Sequence, residues 1–326
     1  MTATAGALLA GGIGLVGTRR AEAEAVRTTR LLMGSIANLT VISDDPRHAQ
    51  AAIDAAFERM TELEAVFSRF QADSQLSQLN RDGYLHDAHP ALVDVLRQSV
   101  ACGQLTGGAF DVSIEAVHRL YREYARLGSL PDDEAMLREC ERVDYRAIAI
   151  GEDSVRFQKP GMAITLDGIG KGYIIDQGAA LLRAYGYGNV LVELGGDMSA
   201  LGQADARPWQ ISIQQPPGFQ TSRSMVASLT GCALATSGGY LNSFTPDHRL
   251  HHILDPYSGI SPLELVSASV IARSACDADA LATAVMVMGR ERGLALTERL
   301  NDVEALVITQ TGEVQQTAAF PLLPVR

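Results

Sequence analysis

The sequence predicts a mixed α/β fold, α+β in its details, folded as one compact body, and three observations lead there. Apolar runs of strand length, such as "SIANLTVIS" and "NVLVEL", alternate with longer segments whose apolar residues return at helical spacing. A helix-like stretch, an apolar strand and a Gly-rich loop follow one another through residues 170–199, the order in which an α/β unit is laid down. No internal repeat or low-complexity linker divides the chain after residue 30. With 326 residues, 47% of them apolar and 20% charged, the chain can bury the core such a body needs.

Residues 1–25 stand apart from that fold. "TATAGALLAGGIGLVG" is small and apolar, and "TRRAEAEA" after it offers A-x-A cleavage points ending at Ala23 or Ala25, as in a signal peptide. Nothing basic precedes the apolar run, and Arg19 and Arg20 follow it, so they are not the twin arginines of a Tat signal. The expectation is an export segment whose true start lies upstream, with the twin arginines in the missing part, and a periplasmic or otherwise exported product. A disordered or weakly membrane-associated tail is the alternative, the run being short for a spanning helix of about 20 residues. No lipobox cysteine is present, so no lipoprotein anchor is expected.

From residue 30 to 326 the elements follow in order. "SIANLTVIS" reads as a strand, and Asp44, Asp45 and Pro46 open a helix whose apolar residues Ala49, Ile53, Phe57, Met60, Leu63 and Phe67 share one face. A polar stretch through "SRFQADSQLSQLNRDG" leads to a second helix from about His89 to Leu105, stopped by the Gly-Gly of "TGGAFDVS". Residues 114–142 are helical and charge-rich, and 145–164 carry short strands around a Gly-Glu-Asp turn. A helix running through Tyr185, the strand "NVLVEL" and the loop "GGDMS" come next. "WQISIQ", "MVASLTGCALAT", "HHILDP" and "VSASVIA" supply further strands, "CDADALATAVMVMG" a helix, and "EALVITQTGEVQQTA" a hairpin-like pair.

A net charge of −11, with no basic stripe, argues against nucleic acid as a partner. A single dinucleotide is compatible with it, because backbone N–H groups, a lysine or a divalent metal can neutralise phosphates locally. Cys102, Cys140, Cys232 and Cys276 are far apart and read as free thiols.

"TLDGIGKGYIID", residues 165–176, has the wrong spacing for a Rossmann loop or a P-loop. It is either a Gly-rich strand-to-helix turn or a loop approaching a ligand closely, with Lys171 near the helix start beside a phosphate or flavin oxygen. In "CDADALATAVMVMG", Asp279 and Thr283 stand one turn apart on one helical face among small and apolar neighbours. Asp277 is the better N-cap, which leaves Asp279 needing a salt bridge or a metal, and hard oxygen ligands suit Mg²⁺. "HHILDPYSG" places His251, His252 and Asp255 before a turn. Adjacent histidines argue against a shared ion, so one is an acid or base, or both are structural. "GGAFDVS" and "ATSGGY" are Gly-rich loops with Asp111, Thr236 and Ser237 as polar handles.

Taken together and in this order, "MGS" at Met33, "FSRFQADSQLSQLN", "TGGAFDVS", "LDGIGKGYIID", "LVELGGD", "ATSGGY", "HHILDP" and "DADALATAVMVMG" make the chain resemble the ApbE family of FAD:protein FMN transferases. The resemblance covers nearly all the chain after residue 30. It implies a T-fold-like architecture with FAD, the substrate, in a central cleft beside Mg²⁺. It implies cleavage of the FAD pyrophosphate, transfer of FMN through a phosphoester to a Thr or Ser of an acceptor flavoprotein, and release of AMP. The acceptor would be a membrane or periplasmic electron-transfer protein. By position, Met33, Phe70, the Ala109, Phe110, Asp111 loop, Thr165, Asp167, Lys171, Ser237 and Leu254 would lie around FAD. Asp279, Thr283 and the carbonyl oxygens of Gly168 and Ala282 would hold the metal, and His252 would help deprotonate the acceptor hydroxyl.

The chain departs from the family pattern in places. Thr165 stands where the common D-L-G-G-I-A-K-G block begins with Asp, and Asp167 where that block has a small residue; Phe70 replaces a frequent Tyr, and "SGGY" lacks an acidic residue. A similar loop occurs in exported members of the family. Two rivals share the motifs: a hydrolase splitting FAD into FMN and AMP, and a flavin-binding carrier without turnover.

Overall fold

The computed structural model describes residues 23–216, 225–240, 242–245, 247 and 249–324. The export-like run through residue 22 lies outside them. The strands β1 (Glu24–Leu32) and β2 (Ser35–Ser43) form a hairpin, followed by α1 (Pro46–Phe67), α2 (Gln75–Asp82), β3 (Tyr84–Leu85) and α3 (Pro90–Leu105). Next come α4 (Glu115–Arg126), α5 (Asp133–Cys140), β4 (Ile148–Ile150), β5 (Val155–Phe157) and α6 (Gly170–Ala184). The strands β6 (Val190–Leu194), β7 (Asp197–Leu201), β8 (Trp209–Ile213), β9 (Met225–Leu229), β10 (Cys232–Gly238) and β11 (Leu265–Ala272) precede α7 (Ala275–Thr297), β12 (Glu304–Thr309) and β13 (Val314–Gln316).

The main sheet has the order β1-β2-β6-β7-β10-β11-β12-β13, and every neighbouring pair in it is antiparallel. On one face α1 and α6 bury Phe57, Met60, Ile174 and Leu182 against Leu39, Val192 and Leu194, while α7 packs on β11 and β12. On the other face the β8–β9 pair and Phe320 cover Met198, Leu234 and Leu306. These layers bring the N-terminal ends of α6 and α7 and the tips of two hairpins to one end of the sheet.

Several elements differ from expectation. "GGDMS" is not a loop: only Gly195 and Gly196 turn, at φ 62° and 98°, and Asp197 already begins β7. Two consecutive positive-φ residues are what a tight hairpin with strand-like twist requires, so the pair needs glycine. "HHILDP" is not a strand but keeps a single bridge, Ser243 to His251. Its backbone groups go elsewhere, the His251 N–H to Ser261 Oγ at 2.8 Å and the His252 N–H to the Asn242 carbonyl at 3.0 Å. The polar stretch after α1 contains α2, and the sheet begins at Glu24, ahead of the residue-30 boundary read from sequence. The four cysteines are free.

Candidate functional site

The site is built where α6 meets α7. A Cβ on Gly172 would lie 2.1 Å from the Ala275 carbonyl oxygen, so glycine is what lets the two helix starts touch. Asp176, one turn further on, accepts the Ala275 and Cys276 N–H groups at 2.8 and 2.9 Å, and burial still pushes its carboxyl up to about 6. Ser274 is the N-cap of α7: its Oγ accepts the Asp277 N–H at 3.0 Å and donates to Asp277 Oδ2 at 2.6 Å. The cap is therefore Ser274 rather than Asp277, whose side chain accepts the capping hydroxyl instead.

This crossing delivers Asp279 to the start of α6. Its Oδ2 accepts the Gly172 N–H at 3.1 Å, and its Oδ1 lies 3.6 Å from Lys171 Nζ. Lys171 is also paired with Asp197, the buried first residue of β7, whose Oδ1 accepts the Thr236 N–H at 3.0 Å. Burial works against the Lys171 charge, but Asp197 and Asp279 outweigh it and hold its pKa up. For Asp279, burial raises the pKa, Lys171 opposes it and Asp197 adds to it, and the net direction is up.

One turn along α7, Thr283 Oγ1 meets Ser237 Oγ at 3.1 Å. A Cβ on Gly168 would fall 2.9 Å from Thr283 Oγ1 and 3.3 Å from Phe110, so the 165–168 loop, the Phe110 loop, β10 and α7 converge on one spot. Ala282 precedes Thr283 and is buried in the core beneath. Among the described residues no group of three or more His, Cys, Asp or Glu is arranged to hold a metal. An ion here would depend on one carboxylate, hydroxyls, loop carbonyls, water and phosphate. That all-oxygen, low-charge set fits Mg²⁺.

Around this centre lie the other residues read from sequence. Met33 (φ 51°) and Gly34 turn the β1–β2 hairpin, and the Met33 N–H is held by Glu64 Oε1 at 2.8 Å. That tip reaches Lys171 through Gly195, whose Cβ would lie 3.1 Å from Ser35 Oγ and 3.9 Å from Lys171 Cδ. Phe70 is 80% exposed under the Arg69 guanidinium, and Arg69 Nε pairs with Asp167 at 3.0 Å. Asp167 therefore neither enters the Lys171 cluster nor floats free. Thr165 shapes its turn, its Oγ1 accepting the Asp167 N–H at 3.2 Å and its own N–H bonding the Val112 carbonyl at 2.8 Å. A threonine can thus make the local turn that an aspartate would make at this position.

Other residues turn inward. Asp111 spends its carboxylate on Ser113 and on the Tyr145 N–H, so it fixes the loop that carries Ala109 and Phe110. Leu254 is buried with Ile114, Val117 and Tyr121 and does not join the polar cluster. Of the two histidines, His251 is the structural one, buried between Ser261 and the Pro262 carbonyl. Half-buried His252 has Nδ1 3.1 Å from the Asn242 carbonyl, so Nδ1 carries the hydrogen and Nε2 keeps its lone pair. Burial brings its pKa down to about 4, with His118 and His251 acting the same way against the Asn242 carbonyl and Asp167. Asp255 is spent on the turn, accepting the Tyr257 N–H at 3.0 Å.

The sequence missed Asp197, Arg69 and His118. Asp197 had a signal, an aspartate following Gly-Gly after the largely apolar strand "VLVEL" and so needing a partner. Two surface concavities, of about 510 and 640 Å³, open beside Tyr187 and beside Tyr84, and neither includes a residue of the Lys171 cluster.

Known proteins resemble this chain in sequence and in fold. The ApbE family model matches residues 33–307. The FAD:protein FMN transferase of Treponema pallidum is 30% identical, over 95% of this chain and 91% of its own. That of Vibrio cholerae is 31% identical, with 89% of each chain covered. The solved structure of the flavin transferase ApbE from Vibrio cholerae superposes with a TM-score of 0.78 at 28% identity, covering 91% of this chain and 98% of that one. The ApbE protein of Thermotoga maritima superposes at 0.80, with 25% identity and coverage of 90% and 97%. Sequence and fold agree, and the chain belongs to the ApbE family.

Proposed function

We propose that this protein transfers the FMN moiety of FAD to a Ser or Thr hydroxyl of an acceptor flavoprotein, releasing AMP. The observation that carries the reading is the convergence of Lys171, Asp197 and Asp279 with Ser237 and Thr283 at the meeting of α6, α7 and β10. The named activity of the relatives supports it. In the step proposed, the hydroxyl oxygen forms a bond to the FMN phosphorus, the bond from that phosphorus to the bridging oxygen breaks, and AMP leaves with the electron pair. The hydroxyl proton goes to His252 Nε2, the ring atom left free by the Asn242 bond.

Mg²⁺ would be held by Asp279 and Thr283 with the carbonyl oxygens of Gly168 and Ala282, and when bound it neutralises charge on the diphosphate. Lys171 presents a fixed positive charge toward the same region, its direction set by Asp197. Exposed Phe70 and the Met33 turn offer the aromatic and thioether surface that a flavin ring favours. The acceptor is expected to be a membrane or periplasmic electron-transfer protein, matching the signal-like N-terminus.

Product analysis separates this reading from its rivals. FAD and Mg²⁺ are incubated with the protein, with and without an acceptor, and the nucleotides are resolved by chromatography. Transfer gives AMP that appears only when acceptor is present, with no free FMN. Free FMN and AMP without acceptor would make the protein a hydrolase, and unaltered FAD in both arms would make it a carrier.

A further inference from the structure

We infer that Glu115 and His118, on the first turns of α4, form a positioning pair that holds His252 in its working orientation. The inference rests on the reading of His252 as the proton acceptor. His118 is buried, and its Nε2 lies 2.7 Å from the main-chain carbonyl oxygen of His252. A carbonyl only accepts, so Nε2 carries the hydrogen and donates it. On the other side of the ring, Nδ1 lies 3.5 Å from Glu115 Oε2, a buried carboxylate oxygen without a hydrogen-bond partner among the described residues. The second oxygen of Glu115 is taken by Arg122 at 2.5 Å, with Arg119 Nε at 3.6 Å. Burial pushes the Glu115 pKa up, but His118 and Arg122 outweigh it, so this carboxylate stays ionised.

His252 is thus gripped from two directions. Its backbone N–H and its Nδ1 both face the Asn242 carbonyl, at 3.0 and 3.1 Å, while His118 holds its carbonyl from behind. Only Nε2 is left over, and it is the atom required for proton transfer. The same face of α4 fastens the flanking chain, since Tyr121 stacks on Phe244 with ring centroids 4.9 Å apart and donates its hydroxyl to the Gly259 carbonyl at 2.9 Å. The polar pair stands beside an apolar cluster of Ile114, Val117 and Leu254, where an aliphatic residue would pack without the desolvation cost of a charge. The His252 carbonyl is the group that gains from a donor in that place.

Glutamine can put its amide nitrogen near the position of Nε2, whereas asparagine reaches only as far as Nδ1, so the two variants separate the hydrogen bond from general polarity and bulk. His118→Ala, His118→Asn, His118→Gln and His252→Ala are purified and confirmed folded by melting temperature, then assayed for kcat and for the KM of FAD in acceptor labelling. The expected result is a loss of about tenfold to a hundredfold in kcat for His118→Ala and His118→Asn, with KM for FAD unchanged and most of the loss restored in His118→Gln. Equal kcat in the Asn and Gln variants, or a wild-type rate in folded His118→Ala, with His252→Ala slow, would overturn the positioning role alone. A wild-type rate in His252→Ala would remove the base reading and this inference with it. Should His118→Ala fail to fold, the Asn and Gln pair decides.

Discussion

Asp279 is a carboxylate buried among alanines, and in place of water it has the Gly172 N–H and the Lys171 ammonium. Its spacing from Thr283 was legible because a helix puts i and i+4 on one face. Its partners were not, because Lys171 and Asp197 are brought together by the α6–α7 crossing and by β7, which no local pattern encodes. Asp279→Ala should abolish Mg²⁺-dependent turnover and weaken divalent-ion binding measured calorimetrically. Wild-type values for both would remove the metal assignment. The histidines behave differently. The sequence singled out the pair, but only the Asn242 and Pro262 carbonyls decide which ring is free. With its pKa lowered from the ordinary 6.5 to about 4, His252 binds fewer protons folded than unfolded below pH 6.5. Its contribution to stability is therefore full above pH 6.5 and lost as pH falls toward 4. Over that window the melting temperature of the wild type should fall more steeply than that of His252→Gln, and parallel curves would contradict the assigned shift. The transfer rate should hold through neutral pH, since His252 is already unprotonated there.

At the scale of elements, the α6–α7 crossing places the chemistry, and Gly172 permits it. A methyl group there would meet backbone rather than a yielding side chain. Gly172→Ala should cost about 1–3 kcal/mol, read as a lowered denaturation midpoint, and should also weaken FAD binding by displacing Lys171. An unchanged midpoint would mean that the helices can part without consequence. The long helices were legible because each buries a continuous apolar stripe, as α1 does from Ala49 to Phe67. The strand β1 was not, since it is an edge strand with Leu31 and most of its residues exposed, and its inward positions Val26, Thr28 and Leu32 do not make a continuous apolar set. The segment around His251 misled for the opposite reason. Ile253 and Leu254 are apolar because they pack into two neighbouring cores, near α7 and α4, rather than because they pair in a sheet.

At the scale of the molecule, an antiparallel sheet between a helical layer and a small hairpin layer leaves one end free to gather loops from distant parts of the chain. Residues from Met33 to Thr283 meet there, which is why the motifs are individually weak and convincing only in order. An exported location is testable at this scale, by fractionating cells that express the chain. Recovery in the periplasm is expected, and exclusively cytoplasmic protein would contradict it. The most direct measurement is the intact mass of an acceptor flavoprotein after incubation with this protein, FAD and Mg²⁺. A gain of one FMN less one water is expected, located by fragmentation on a single Thr or Ser and absent when that residue is replaced by Ala. An acceptor of unchanged mass, in a reaction where FAD is nevertheless consumed, would contradict it.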